Sequence, residues 1–305
     1  MNSGRYSFHT LDVFTRRRFG GNPLAVLPDA RGLSAKRMQA IAREFNLSET
    51  VFVLPPDQPD RHACRLRIFT PLAELPFAGH PTVGAAWLLA AIGRIPLSDG
   101  VASVWFEEGV GPVRVRVEAE QGRPAFVRLT AAQAPARGPE PPGPAFLAEI
   151  LSLAPEEIRQ DDWMPESWSC GVPFVCVPLR DREALRRARP RLDRWESVLA
   201  GFWAPQVYLF ARDRTDPASL HARMFAPALG VAEDPATGAA AVALAGYLAS
   251  RSEHREGTLG WTVFQGEDMD RPSELRVEAE LAAGRVAAAH VGGAAVSVSE
   301  GWLVD

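Results

Sequence analysis

Three side chains of this chain occur where an acid or a base could act on a substrate. Glu49 lies in Phe-Asn-Leu-Ser-Glu-Thr-Val-Phe (45–52), His80 in Phe-Ala-Gly-His-Pro-Thr-Val-Gly (77–84), and Asp234 in Glu-Asp-Pro-Ala-Thr-Gly-Ala (233–239). The apolar flanks of Glu49 predict partial burial, which tunes a carboxyl toward proton transfer; the plain alternative is a surface-loop glutamate. His80, between Gly79 and Pro81 at a predicted helix start, has little packing value in a core. Asp234 holds the corresponding position in the second half of the chain. Aspartate caps helices well, but Thr237 could cap the same helix, so capping alone does not settle the role of Asp234. A carboxylate, an imidazole, a second carboxylate and two helix N-termini suit proton transfer at a carbon next to a carboxylate, without a cofactor.

Other chemistries find no support. The chain has no G-x-G-x-x-G after a strand, no P-loop, no H-E-x-x-H and no G-x-S-x-G elbow. Its six histidines are too scattered to predict a metal site. Cys64, Cys170 and Cys176 are odd in number and share no metal or redox spacing, so they read as buried thiols of a cytoplasmic protein. A net charge of −4 gives no electrostatic case for nucleic acid or an anionic membrane. The longest apolar stretches fall short of the roughly 18 residues of a membrane span, and the N-terminal stretch lacks the apolar run of a secretory signal.

The elements that must position these side chains follow from the patterning. Alternating segments predict many short strands, with helices near 35–45, 82–92, 144–152, 181–186, 192–200 and 239–250. Many strands with few helices indicate an α+β protein rather than a doubly wound sheet. The proline-dense stretch Gln133–Phe146 reads as a linker. On either side of it stands a similar phrase: Arg67-Ile-Phe-Thr-Pro matches Arg223-Met-Phe-Ala-Pro, and Pro81-Thr-Val-Gly-Ala-Ala matches Pro235-Ala-Thr-Gly-Ala-Ala. This favours an internal duplication. In each copy a strand ends, a glycine-containing turn follows, and a helix of small apolar residues begins. A helix apolar on all sides must be enclosed, so each half is expected to wrap its strands around one central helix.

Taken together, Gly-Gly-Asn-Pro-Leu-Ala-Val (20–26), the three phrases above and Gln-Gly-Glu-Asp-Met-Asp-Arg-Pro-Ser-Glu-Leu (265–275) resemble the PhzF-like family. The resemblance runs over nearly the whole chain. It implies the diaminopimelate epimerase-like fold: two pseudo-symmetric domains, each a curled, barrel-like, mostly antiparallel sheet around a central helix, with the active site between them. The expected domains are 1–130, completed by the C-terminal strand 293–305, and 131–292. It also implies a cofactor-independent isomerase with no metal, typically a homodimer, acting on a small carboxylate-bearing molecule. Carried over by motif, Glu49, His80 and Asp234 are the catalytic set, and Asn22, Gly79, Thr237, Gly238 and Ala239 bind substrate. The chain departs from the family at Ala239, where a substrate-binding serine is usual, and at Asp270, where glycine is usual. Ala78 and Pro235 stand near the positions of the cysteine pair of related epimerases, which excludes a two-cysteine racemase. Two other readings remain open: a non-catalytic protein that binds small acids, and an epimerase using Glu49 and Asp234.

Overall fold

The structure, a computed structural model, describes residues 5–199 and 201–304. The chain forms two compact units. Unit one is Met1–Ala132 with Gly292–Asp305, and unit two is Gln133–Val291.

In unit one the strands are β1 (Arg5–Val13), β2 (Asn22–Leu27), β3 (Glu49–Leu54), β4 (Cys64–Phe69), β5 (Glu74–Leu75), β6 (Val101–Glu108), β7 (Gly111–Glu120) and β8 (Arg123–Thr130). Helix α1 (Ala35–Phe45) joins β2 to β3, and α2 (Gly79–Ala91) lies between β5 and β6. In unit two come β9 (Ala136–Arg137), α3 (Pro144–Leu151), β10 (Glu166–Ser169), β11 (Pro173–Pro178), α4 (Arg182–Arg187), α5 (Leu192–Leu199), β12 (Val207–Arg212), β13 (Ser219–Ala226) and β14 (Val231–Asp234). Then follow α6 (Gly238–Ala249), β15 (Gly257–Gln265), β16 (Ser273–Ala282) and β17 (Arg285–Gly293). The last strand, β18 (Ala295–Val304), pairs antiparallel with β1 of unit one.

The two units repeat one pairing scheme. In unit one β1 runs antiparallel to β2, β2 parallel to β3, β3 antiparallel to β4, β4 parallel to β6 and β6 antiparallel to β7. In unit two β10, β11, β12, β13, β15 and β16 pair in the same order with the same sense at every step. Parallel neighbours need a crossover. Each unit therefore has a helical link at its first parallel pair, α1 or α4 with α5, and a central helix at its second, α2 or α6.

The first links pack on one face of each sheet. Met38, Ile41 and Ala42 of α1 bury against Leu27, Phe52 and Phe69. Leu185 of α4 and Trp195 and Leu199 of α5 share a core with Val175, Val207 and Phe225. The central helices are enclosed, as an all-round apolar surface requires. Every residue of α2 except Trp87 and Ala91 is buried, and every residue of α6 except Ala239. Each carries a glycine where a neighbour comes too close for a side chain. A Cβ on Gly84 would lie 2.5 Å from Leu24 Cδ2 and 2.8 Å from Val13 Cγ2, and one on Gly246 would lie 2.3 Å from Pro135 Cβ.

A second repeated device fixes the short partner strands. Arg67 of β4 makes a bidentate pair with Glu74 of β5, at 2.7 and 2.6 Å, and its guanidinium lies over the Phe69 ring. Arg223 of β13 does the same with Glu233 of β14, at 2.7 and 2.8 Å, over Phe225. The Arg-x-Phe spacing places both side chains on one face of the strand.

The structure corrects three local expectations. The proline-rich stretch is not wholly a linker: Ala136 and Arg137 pair with β10, because Pro135 and Gly138 bracket a segment free to extend. Helix α2 begins at Gly79 rather than near 82, since Pro81 is tolerated in the first turn of a helix. Cys170 is half-buried in the turn between β10 and β11, whereas Cys64 and Cys176 are buried in strands. Burial pushes the Cys64 and Cys170 thiols up to about 12, the regime of inert cysteines.

Candidate active site

In unit one, strand register brings the site residues together. Leu24 of β2 stands opposite Glu49, the first residue of β3. Leu24 also lies beneath Gly84 of α2. His80 is one helical turn before Gly84, on the same face, and so looks onto the same strip of β2. Its imidazole hydrogen-bonds the backbone carbonyl of Pro23, the residue before Leu24. Nε2 of His80 lies 3.1 Å from Oε2 of Glu49, with both side chains mostly shielded from solvent.

Burial drives the His80 pKa from 6.5 down to about 3, so the ring is neutral at physiological pH. The helix N-terminus adds to the cost of an imidazolium there. A neutral ring has one N–H. With that hydrogen given to the Pro23 carbonyl, Nε2 presents a lone pair to Glu49. With Glu49 as a carboxylate two acceptors stand 3.1 Å apart, so a proton taken up by Glu49 meets a ready lone pair on Nε2.

A depressed histidine pKa makes a signed prediction. The unfolded state binds the proton first, so stability from neutral His80 is full above pH 6.5 and is lost as pH falls toward 3. Between pH 6.5 and pH 5 the wild type is expected to lose about 2 kcal/mol relative to His80→Gln, read from urea unfolding at both pH values. Parallel curves for the two proteins would contradict a neutral His80.

Asn22 begins β2, opposite Val13 of β1, and is wholly buried. Gly21 before it has φ +62, and a Cβ there would lie 2.3 Å from the Val13 carbonyl oxygen. Gly79, the first residue of α2, is buried.

In unit two, Asp234 ends β14 and is buried. Thr237, at the N-cap position of α6, makes no side-chain cap hydrogen bond. Instead the Thr237 hydroxyl donates to Asp234 Oδ2 at 2.5 Å. The two helix entrances matched by sequence therefore differ: His80 is inside its helix, whereas Asp234 is held in a strand ahead of one. The cause is Gln265, which ends β15. Its Nε2 donates to the Asp234 carbonyl at 2.7 Å and to Thr237 Oγ1 at 3.1 Å. Its Oε1 accepts from Tyr208 Oη at 3.0 Å and from the Thr237 amide at 3.2 Å. All four bonding positions of the amide are used, which pins 234–237 outside the helix. Gly238 begins α6, and Ala239 is its one residue that is not buried.

Sequence reasoning missed Gln265 and Ser273 as site scaffolding, although both lie in the 265–275 motif. Ser273 Oγ donates to the Pro235 carbonyl at 2.9 Å. Between them Gly266 has φ +74, and a Cβ would lie 2.4 Å from Arg271 O and 2.6 Å from Pro235 O. Both obstacles are backbone. Gly266→Ala is therefore expected to destabilise by roughly 3 kcal/mol in urea unfolding, from left-handed strain plus overpacking. Asp270, where the family favours glycine, also has positive φ (+56), a conformation that aspartate tolerates better than most residues.

Among the described residues, no group of three or more His, Cys, Asp or Glu side chains could hold a metal ion. No helix there is long and apolar enough to cross a membrane.

Comparison with known proteins covers almost the full length. Residues 11–301 match the PhzC-PhzF family, described as phenazine biosynthesis-like protein. An isomerase of Mesorhizobium japonicum, named as uncharacterized, is 43% identical over 96% of this chain and 96% of its own. The trans-2,3-dihydro-3-hydroxyanthranilate isomerase of Pseudomonas aeruginosa is 35% identical over 97% of this chain and 98% of its own. Among solved structures, the PhzF-family phenazine biosynthesis protein of Bacillus anthracis superposes with a TM-score of 0.88, covering 99% of each chain at 24% identity.

Proposed function

The chain belongs to the phenazine biosynthesis-like PhzC-PhzF family and is an isomerase, and from that premise we propose that it moves a proton within a small carboxylate-bearing substrate. Glu49 is the base and then the acid. The observation that carries this reading is the approach of Glu49 Oε2 to the neutral His80 imidazole.

The step balances without a cofactor. The Glu49 carboxylate takes a proton from a substrate carbon, and the C–H electron pair moves into the adjacent unsaturated system and its carboxylate. The new acid can hydrogen-bond the Nε2 lone pair of His80, which holds the proton in place. The proton on Glu49 exchanges with solvent, Glu49 then delivers a proton to a different carbon, and the double bond ends up shifted. Asp234 orients the substrate's polar groups, with Asn22, Gly79, Gly238 and Ala239 shaping its binding. The Thr237 amide and hydroxyl are already committed to Gln265 and Asp234, so Thr237 acts by fixing Asp234. Ala239 brings no hydroxyl to the helix mouth, and a site without that bond selects substrates differently from one with it. A cytoplasmic homodimer belongs to the same reading, and sedimentation velocity tests the dimer.

The test is incubation in deuterated water with a panel of small unsaturated carboxylic acids that includes trans-2,3-dihydro-3-hydroxyanthranilate. Proton NMR is expected to show loss of one C–H signal together with a shifted double bond in at least one acid. Saturable binding without exchange across the panel would contradict catalysis and favour a binding protein. Exchange with inverted configuration and no bond shift would favour an epimerase using Glu49 and Asp234.

A further inference from the structure

Glu108 is a buried carboxyl that the reaction above does not use. It ends β6, and its Oε1 lies 2.7 Å from the hydroxyl of Thr82 in α2. The same hydroxyl lies 2.8 Å from the carbonyl of Ala78. Thr82 has one hydroxyl proton and faces two acceptors. Both contacts are satisfied together only when Glu108 carries a proton, donates to Thr82 Oγ1, and Thr82 donates onward to Ala78.

Its surroundings agree. Glu108 Oε2 is buried and makes no hydrogen bond, a costly state for half of a negative charge. The charged groups nearby are committed elsewhere: His62 to Glu107, Arg65 to Asp57, and Arg67 to Glu74. From β4, the neutral Cys64 thiol is the titratable neighbour, and Arg94 lies near enough to act on that thiol. On α2 the titratable residue is His80, itself neutral. Burial raises the Glu108 pKa to about 8.

We propose that Glu108 is a positioning residue: a neutral carboxylic acid that, through Thr82, holds the first turn of α2 and with it His80. Beyond the His80 bond to Pro23, the backbone of that turn is weakly tied. Ala78 supplies no side-chain cap, Pro81 has no N–H, and the Thr82 amide reaches Ala78 O only at 3.4 Å. The inference rests on the assignment of His80 to the active site, but its tests need no substrate.

The experiment is infrared difference spectroscopy of the wild type against Glu108→Gln, with amide hydrogen exchange of residues 78–84. A protonated-carboxyl band is expected in the wild type at pH 7, bleaching with a midpoint near pH 8 and absent from the variant. After correction for intrinsic rates, wild-type exchange in 78–84 should accelerate at least severalfold between pH 7 and pH 9. Glu108→Gln, whose amide still donates to Thr82, should stay protected at both. Thr82→Val, which keeps the shape without the hydroxyl, should be unprotected at both. No acid band at pH 7, or the same pH response in Glu108→Gln as in wild type, would overturn the proposal. Full isomerisation by Glu49→Gln would overturn the proposed reaction and leave these spectra unchanged, so the two failures are distinguishable.

Discussion

Arg223→Met is expected to lower the stability of the protein by about 3 kcal/mol, measured by urea unfolding at pH 7. Arg223 is buried and divides its donors between Glu233 and the end of α4. Nε and Nη2 take the two oxygens of Glu233, and Nη1 donates to the carbonyls of Leu185 and Ala188 at the C-terminal end of α4, at 2.9 Å each. Methionine replaces the volume but leaves Glu233 and two carbonyls without their donor. Truncating one partner of a shielded pair costs more than the pair contributes, because the charge left behind stays desolvated. The repeated pair in unit one supplies the control. Arg67 and Glu74 share the geometry, but their side chains are 21% and 42% exposed, against 5% and 17% for Arg223 and Glu233. Water can replace the lost partner there, so Arg67→Met is expected to cost under about 1 kcal/mol. Equal losses at the two sites would show that burial does not govern these pairs. Glu233 adjoins Asp234, so the Arg223 variant should also loosen 234–237 in hydrogen exchange.

The larger effect on chemistry is expected at Glu49. Glu49→Gln keeps the shape at the start of β3 and removes the ability to take a proton. A positioned general base contributes roughly 10²- to 10⁴-fold, and here one group serves both half-reactions. The variant is therefore expected to exchange substrate C–H at about 10³-fold lower rate or less. Its unfolding midpoint should stay close to that of the wild type, because glutamine can donate to His80 Nε2. A loss of activity accompanied by loss of the fold would point to structure, so both readings are needed from one preparation.

Much of this architecture is legible from residue patterns, for identifiable reasons. The enclosed helices announce themselves because α2 and α6 are apolar all round, and only a central helix tolerates that. The duplication is visible because Arg-x-Phe must recur wherever a strand carries both the guanidinium and the ring that it covers. The α+β class follows from many short strands with few helices, and the family from the resemblance of the five motifs; the matches to known proteins agree with both.

What the residues alone conceal is long-range. Nothing near Asp234 in sequence reveals that Gln265, 31 residues on, holds its carbonyl and the Thr237 amide. The two entrances look equivalent by motif, yet this one amide keeps Asp234 in a strand while His80 starts a helix. Glu108 is hidden for a similar reason. It follows Glu107 in an ordinary alternating strand, and only the packing of α2 decides that one of the two carboxyls is buried while its neighbour takes His62. The Glu49–His80 contact depends on the β2–β3 register, which periodicity cannot assign.

The most direct test of the central claim is the ratio of C–H exchange rates in deuterated water for wild type and Glu49→Gln, on whichever acid the wild type exchanges fastest. The expected ratio is about 10³, with deuterium entering the carbon that gains the proton. A ratio near one, with both proteins folded, would contradict Glu49 as the acid and base of this isomerase.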